Sequence, residues 1–564
     1  MIDKIFLRFI TFLNPVLVRT GVDTYQLNEI LRIKLLIDNR RPRTAFAARK
    51  NAKNKVQSPW MVGFFTVLMG FLIGLVLFIN KAPYVGQTLY FSAFMVFMAL
   101  TLISDFTTVL VDSRDQYIIA PRPVNDRTVT VARILHISIY VLRLALLQGA
   151  PGLVMIGFID GPLAIPVFLL QILEATFLAI FIVNIVYLVI MKFVSPQRFK
   201  DIITYIQIGF TIVIFGAYYL LPRLIDVSKI ENVNILGHWF SYILPPVWIT
   251  ALNELLFHHV RADIITSLLA IAGLVVPVFG LWLVAKVLAP GFNRRLAIIA
   301  TSDGNSASPA AIKKEKRSGV LDRIASLVAA DPVENAGFKI TWKLSTRTRE
   351  FKMKVYPAFG YIPIYFVYFT FNGKGQDLAE RWENLRNGHN YIILIYLCTF
   401  ILSAILTNIS MSEKYKSAWV YYSTPISQPG KILSGMYKAI LTIYFLPYCL
   451  VLAIIIVAIW GPGAINDIIL AMLISSIYGV LMALFMVKGL PFSKPVIVKQ
   501  GGGRFIASLL VVTFLGGIGF GHYYLMKWEN VIWILCILFA FIAWLMLHYY
   551  KKTSWENLEM ADDL

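Results

Sequence analysis

Acidic residues are scarce in this chain of 564 residues: 31 Asp and Glu stand against 52 Lys and Arg, and charged types make up only 15% of the sequence. With 58% hydrophobic residues, so little charge excludes a soluble domain of this length, and the apolar residues come in runs of about 20 or more. Cysteine is nearly absent. Cys398, Cys449 and Cys536 all lie inside apolar runs, spaced like neither a disulfide framework nor a metal site, so packing is their expected role. No GxxxxGK[ST] stretch occurs, which excludes that phosphate-cradling loop; "NGKGQDL" (Asn372–Leu378) lacks its spacing. No Asp, Glu or His cluster collects at the end of an apolar run, as a membrane-embedded lipid or glycan transferase would need. A cleavable signal peptide is not expected either, because Arg8 breaks the first apolar stretch and Asn14-Pro15 ends it.

What is present is a polytopic pattern. The expectation is about 12 membrane-spanning helices, at 59–79, 89–111, 129–158, 162–191, 202–221 and 262–288, then at 355–371, 391–411, 434–460, 464–487, 505–522 and 530–550. The segment 355–371 is short and holds Pro357 and Pro363. Net charge is +21. In a soluble protein that would suggest nucleic acid; here basic cytoplasmic loops account for it, and no nucleic-acid partner is expected. With the N-terminus inside, the segments left outside hold only Lys81, Arg223, Lys229, Arg261, Lys374, Arg381, Arg386 and Lys527. All other loops are far richer in Lys and Arg, so both termini are expected to be cytoplasmic.

Two polar interruptions stand between greasy stretches: "SRDQYIIAPRPVNDR" (Ser113–Arg127) and "SEKYKSAWVYYSTPISQPGK" (Ser412–Lys431). Aligning Pro123 with Pro425 also sets Val124 on Ile426, Asn125 on Ser427, Tyr117 on Trp419 and Arg114 on Lys416. Each interruption follows the second span of its half. "MKFVSPQRFK" (Met191–Lys200) and "MVKGLPFSKP" (Met486–Pro495) echo each other after the fourth and tenth spans. An amphipathic interfacial helix is expected before each half, at about 15–41, including "EILRIKLLIDNRR" (Glu29–Arg41), and at about 337–354. The organisation read from this is all-α, a parallel 6+6 pseudo-repeat: an N-terminal half 1–288, a cytoplasmic linker 289–336 and a C-terminal half 337–564. Within the linker "TSDGNSASPAAIKKEKRSG" (Thr301–Gly319) reads as a flexible tether, and Val320–Glu334 as a short helix leading onward.

These residues resemble the type-2 exporter permeases of ATP-binding-cassette transporters. "QYIIAPRPVNDR" (Gln116–Arg127) and "AWVYYSTPISQPGK" (Ala418–Lys431) look like that family's coupling helix between the second and third spans. "YILPPVWITAL" (Tyr242–Leu252) looks like its extracellular segment. The resemblance implies a transport subunit of a bacterial cytoplasmic (inner) membrane with no catalytic residue or cofactor of its own. It also implies a separate ATPase homodimer, binding ATP and Mg, docked on two coupling helices, with lipid and a transported substrate as the other partners. Carried onto this chain, the docking residues are Arg114, Asp115, Tyr117, Ile118, Pro121, Pro123, Asn125 and Arg127, then Lys414, Lys416, Trp419, Tyr421, Pro425 and Lys431. Aromatics are expected as anchors, charges as a rim, and prolines as helix stops. Two features depart from the family: the halves are fused, and the second half lacks the long external segment.

Charges inside spans are costly and often functional. Arg143 and Glu174 fall at comparable depth in the third and fourth spans, which suits either a structural salt bridge or a substrate-contacting or gating pair. Asp105 lies near the inner end of the second span. Arg133, His136 and Lys438 lie nearer inner ends and are expected to snorkel; His136 has no ligand cluster, so no metal is expected. The outside stretch Arg223–Arg261, with Trp239, Phe240, Tyr242 and Trp248, suits short capping helices or an aromatic belt. A twelve-span secondary transporter driven by an ion gradient is the alternative. Such a transporter would carry a glycine- and arginine-rich signature after its second span, where this chain has "IIAPRPVNDR" (Ile118–Arg127).

Overall fold

The structure, a computed structural model, describes residues 2–19, 21–40, 59–78, 84–105, 122–194, 196–224, 236, 238–257, 263–283, 319–370, 378–412, 414–495 and 502–559. Among these the fold is all-helical; the only bridge is an isolated parallel one between Met411 and Lys494. Among the described residues six helices are long and apolar enough to cross a membrane: Val85–Ile103, Arg127–Ile159, Ala164–Ile190, Gly430–Trp460, Pro462–Met486 and Glu529–Lys551. Four of the other expected spans hold shorter apolar helices, Gly63–Phe78, Asp201–Ala217, Ile264–Gly280 and Tyr391–Leu406.

The described residues form two compact units: those of 1–203 and 236–283, and those of 204–224 and 319–559. In chain order the first contains α1 (Ile2–Arg19), α2 (Thr24–Arg40), α3 (Pro59–Gly74), α4 (Val85–Asp105), α5 (Asp126–Ile159), α6 (Ala164–Phe193), the start of α7 (Pro196–Leu224), α8 (Pro245–Phe257) and α9 (Ile264–Leu283). Its core is aromatic, with Tyr90, Phe91 and Phe94 of α4 fully buried and Phe168 of α6 packed 5.2 Å from both Tyr90 and Phe91. The stretch expected either to cap the exit or to form a belt contains α8, whose Val247, Ile249, Ala251 and Asn253 are buried.

A single interfacial helix over 15–41 is not what the N-terminal segment forms. Helix α1 runs through Pro15 to Arg19. The chain then turns at Gly21, whose φ of 78° suits a residue without Cβ. Asp23 Oδ1 accepts the N–H groups of Tyr25 and Gln26 and caps α2. Leu27, Leu31 and Leu35, spaced at four residues, bury one face of α2 against Ala132 and Ile139 of α5.

The second unit holds α10 (Gly319–Val328), α11 (Pro332–Arg347), α12 (Arg349–Thr370), α13 (Leu378–Asn387), α14 (Tyr391–Leu397), α15 (Thr399–Leu406), α16 (Trp419–Ser423), α17 (Gly430–Ile440), α18 (Leu446–Trp460), α19 (Ile465–Met486), α20 (Gly502–Leu525) and α21 (Glu529–Lys551). Residues 204–224 of α7 also belong here, with the Phe215 ring 4.0 Å from that of Tyr361 on α12. The second amphipathic helix starts earlier than the expected 337. Asp331 accepts the N–H groups of Val333 and Glu334, and Pro332 sets the first helical turn. That helix, α11, ends at the extended Thr348, and residues 349–354 open α12 instead. Between α17 and α18, Leu441–Phe445 form a π turn just before Pro447, where a missing N–H makes an ordinary α turn incomplete.

Helices α11 and α17 approach at backbone distance. A Cβ on Gly435 would overlap the Glu334 carbonyl, and one on Gly337 would press on the Ile432 backbone at 2.7 Å. This crossing positions the polar loop that precedes α17.

Candidate functional site: a polar loop clamped to its own unit

The second interruption folds as a 3-10 turn, Tyr415–Ala418, followed by the short α16 and an extended run into α17. Its residues divide cleanly. Trp419 is 59% exposed and Val420 faces out beside it, with Lys414, Lys416 and Pro425 also exposed. Tyr421 is only 8% exposed and belongs to the hydrophobic core of the unit. The aromatic anchors read from the sequence are therefore not equivalent: Trp419 is presented, while Tyr421 holds α16 down. Lys431 donates to Asp331 Oδ2 at 2.8 Å and so ties α17 to the N-cap of α11.

Further contacts fasten the loop from beneath. Trp555 Nε1 donates to the Ile426 carbonyl (2.9 Å), and its ring lies 5.7 Å from Tyr422. Gly430 N–H bonds to the Thr553 carbonyl. Ser412 N–H bonds to the Lys494 carbonyl and Lys494 N–H to the Ser410 carbonyl; Lys494 Nζ meets Glu559 at 2.8 Å.

At the centre of the fastening is Glu334, almost wholly buried. Lys438 Nζ approaches Oε1 at 2.7 Å, Lys551 Nζ approaches Oε2 at 2.9 Å, and Ser434 Oγ donates to Oε1 at 2.6 Å. Lys438 also donates to the Val328 carbonyl at 2.9 Å. Lys438 thus pairs with a carboxylate where a snorkelling role was expected. Burial raises the Glu334 carboxyl, but the bonds from Lys438, Lys551 and Ser434 outweigh it and hold the group below its ordinary range. The bond from Lys431, aided by two backbone N–H groups, does the same for Asp331.

Of the first interruption, Arg114, Asp115, Tyr117, Ile118 and Pro121 lie outside the described residues. Pro123, Asn125 and Arg127 are exposed. Asn125 caps α5 by accepting the Arg127 N–H (3.1 Å) and donates through Nδ2 to the Gly21 carbonyl (3.2 Å). Asp23 N–H bonds to Thr128 Oγ1 at 3.1 Å. In both units, then, the helix that follows an interruption is tied to the aspartate that caps the amphipathic helix: Thr128 to Asp23, and Lys431 to Asp331.

Arg143 and Glu174 are not brought together by a hydrogen bond. Glu174 is 4% exposed, and neither carboxylate oxygen has a hydrogen-bond partner among the described residues. Arg143 lies on α5 and Glu174 on α6, and no hydrogen bond joins the two side chains. Asp105 is the last residue of α4, and its side chain is outside those described. Among the described residues no group of three or more His, Cys, Asp or Glu could hold a metal.

One cluster was not found from the sequence. Asp467 in the first turn of α19 accepts from Tyr391 Oη (2.6 Å) and meets His522 Nε2 (3.1 Å); His522 Nδ1 lies 3.0 Å from Tyr396 Oη. All four residues are buried. The only signal in the sequence was a lone acid and a lone histidine near the ends of two apolar runs 55 residues apart. No protein-family model matches the chain, and neither a curated protein nor a solved structure does.

Proposed function

We propose that this chain is the membrane subunit of an ATP-binding-cassette exporter of the type-2 class. It carries twelve spans as two fused six-span halves in a bacterial cytoplasmic membrane, and moves its substrate outward. A separate ATPase homodimer, holding ATP and Mg, drives it by pushing on the two polar interruptions. The observation that carries this reading is the presentation of Trp419 and Val420 on a short helix whose opposite side is fixed to the core through Tyr421. A docking element must expose an apolar anchor yet transmit force to the spans behind it. The Glu334–Lys438–Lys551 clamp supplies a stiff path from that loop to α17 and α21. The matching ties Thr128 to Asp23 and Lys431 to Asp331 support a repeated design with one docking point per half.

The test is co-purification with candidate ATP-binding-cassette ATPases. One ATPase should co-purify with the wild-type chain, and Trp419→Ala together with Tyr117→Ala should release it. A double variant that keeps its ATPase and its transport would make the interruptions mere loops. The second reading, an ion-gradient-driven transporter, draws on the buried Glu174 carboxyl, since a carboxyl without a hydrogen-bond partner inside a membrane helix suits proton or cation exchange. Transport that follows an imposed ion gradient without any ATPase would select it.

A further inference from the structure

The cluster around Asp467 has no part in the docking mechanism. Among the described residues its carboxylate has two side-chain partners, Tyr391 Oη and His522 Nε2, and neither is a lysine or arginine. The groups facing it are few. Helix α14 contributes Tyr391 and Tyr396, α20 contributes His522, and α21 contributes Cys536, whose Sγ lies 3.6 Å from the Asn466 carbonyl. Helices α15 and α18 carry no acidic or basic residue. His389, exposed at the same end of the bundle, has its ring 6.2 Å from Tyr391. Trp460 donates to the Leu385 and Gly388 carbonyls and its ring lies 5.6 Å from that of Tyr391, which fixes that end of α14.

Hydrogen-bond inventory and charge pull this cluster in opposite directions. With Asp467 ionised and His522 neutral, Nε2–H and the Tyr391 hydroxyl both donate to the carboxylate, and the Tyr396 hydroxyl donates to Nδ1. Every donor has an acceptor, but one negative charge is buried without a counter-charge among the described residues, which is costly in low dielectric. Adding one proton to Nδ1 makes the cluster neutral. Nδ1–H then donates to Tyr396 Oη, and the Tyr396 hydrogen must leave its acceptor. One state satisfies the bonds and the other satisfies the charge.

We infer that Asp467 and His522 form a binding site for a single exchangeable proton, reached from the end of the C-terminal unit marked by Tyr391 and His389. In the proposed orientation that end faces outward. The inference rests on this geometry alone and holds whichever energy source drives transport.

The test is pH-difference infrared spectroscopy on the full chain in lipid nanodiscs, with labelled histidine, across roughly pH 5–8 where imidazole changes charge. The wild-type chain should show a one-proton signature that disappears in both Asp467→Asn and His522→Gln. Tyr391→Phe removes one donor to the carboxylate while leaving the ring in place. It makes the negative charge harder to hold and should move the midpoint to higher pH by up to about one unit. A signature unchanged by His522→Gln, or a midpoint indifferent to Tyr391→Phe, would overturn the site. Should the two polar variants fail to fold, the comparison of wild type with Tyr391→Phe decides the matter alone.

Discussion

Lys438 of α17 places its ammonium 2.7 Å from the carboxylate of Glu334 on α11, a residue 104 positions earlier in the chain. Lys551, at the end of α21, reaches the other oxygen of the same carboxylate. One buried acid therefore joins the amphipathic helix to the helix after the polar loop and to the last long helix. Replacing it with alanine leaves two lysines facing an empty pocket. Both are partly exposed, so solvent screens some of the loss. Glu334→Ala is expected to cost about 2 kcal/mol, read as a lower melting temperature in detergent. A variant as stable as the wild type would mean that the clamp is decorative.

Acid should open this clamp. The folded-state carboxyls of Glu334 and Asp331 lie below their ordinary range, so unfolding raises them. Their contribution is complete above the unfolded range of about pH 4 and is lost as pH falls through the folded values. Stability followed downward from neutral pH should drop below about pH 4, and the drop should shrink in Glu334→Gln. An equal drop in both chains would place the acid sensitivity elsewhere.

Trp419 and Tyr421, two positions apart, should respond in opposite ways. Trp419→Ala removes an exposed ring, so stability should change by less than about 0.5 kcal/mol while affinity for the proposed ATPase should fall by ~1–3 kcal/mol. Tyr421→Ala opens a cavity in the core and should cost about 3–5 kcal/mol of stability. Thermal melts alongside ATPase pull-downs separate the two. If both variants melt alike, the division of α16 into a presented and a buried side is mistaken.

Glu174 and Arg143 should be energetically independent. In a double-mutant cycle of Glu174→Gln and Arg143→Gln, the coupling should stay within about 0.5 kcal/mol. Glu174→Gln alone should not destabilise the fold, because it removes a carboxyl group without a hydrogen-bond partner among the described residues. Coupling well above that bound would restore the salt bridge.

Topology is testable by labelling. With the native cysteines removed, a cysteine placed at Ser306 should resist a membrane-impermeant thiol reagent on intact cells, as basic flanking segments favour the cytoplasmic side. Reaction there would reverse the proposed orientation.

Much of this was legible in consecutive residues. Helical runs, their apolar length and the polar interruptions at 113–127 and 412–431 are local patterns, because each backbone hydrogen bond of a helix closes within a few residues. Capping signals are local too: Asp23 after Gly21 splits the first amphipathic segment in two, and Asp331-Pro332 sets the start of the second. Pro15 misled in the other direction, since a proline near a helix end does not always end it.

What the sequence by itself determined is the class of the molecule: an all-helical chain with runs apolar enough for lipid, and two polar loops bearing aromatics. Only the tertiary structure decided which aromatic faces out, since Trp419 and Tyr421 are chemically alike and differ in what lies beneath them. It likewise decided that Lys438 pairs with Glu334, that Arg143 does not hydrogen-bond Glu174, and that Asp467 meets His522. Those partners lie tens to hundreds of residues apart, and no periodicity along a chain records which faces of distant helices will pack together.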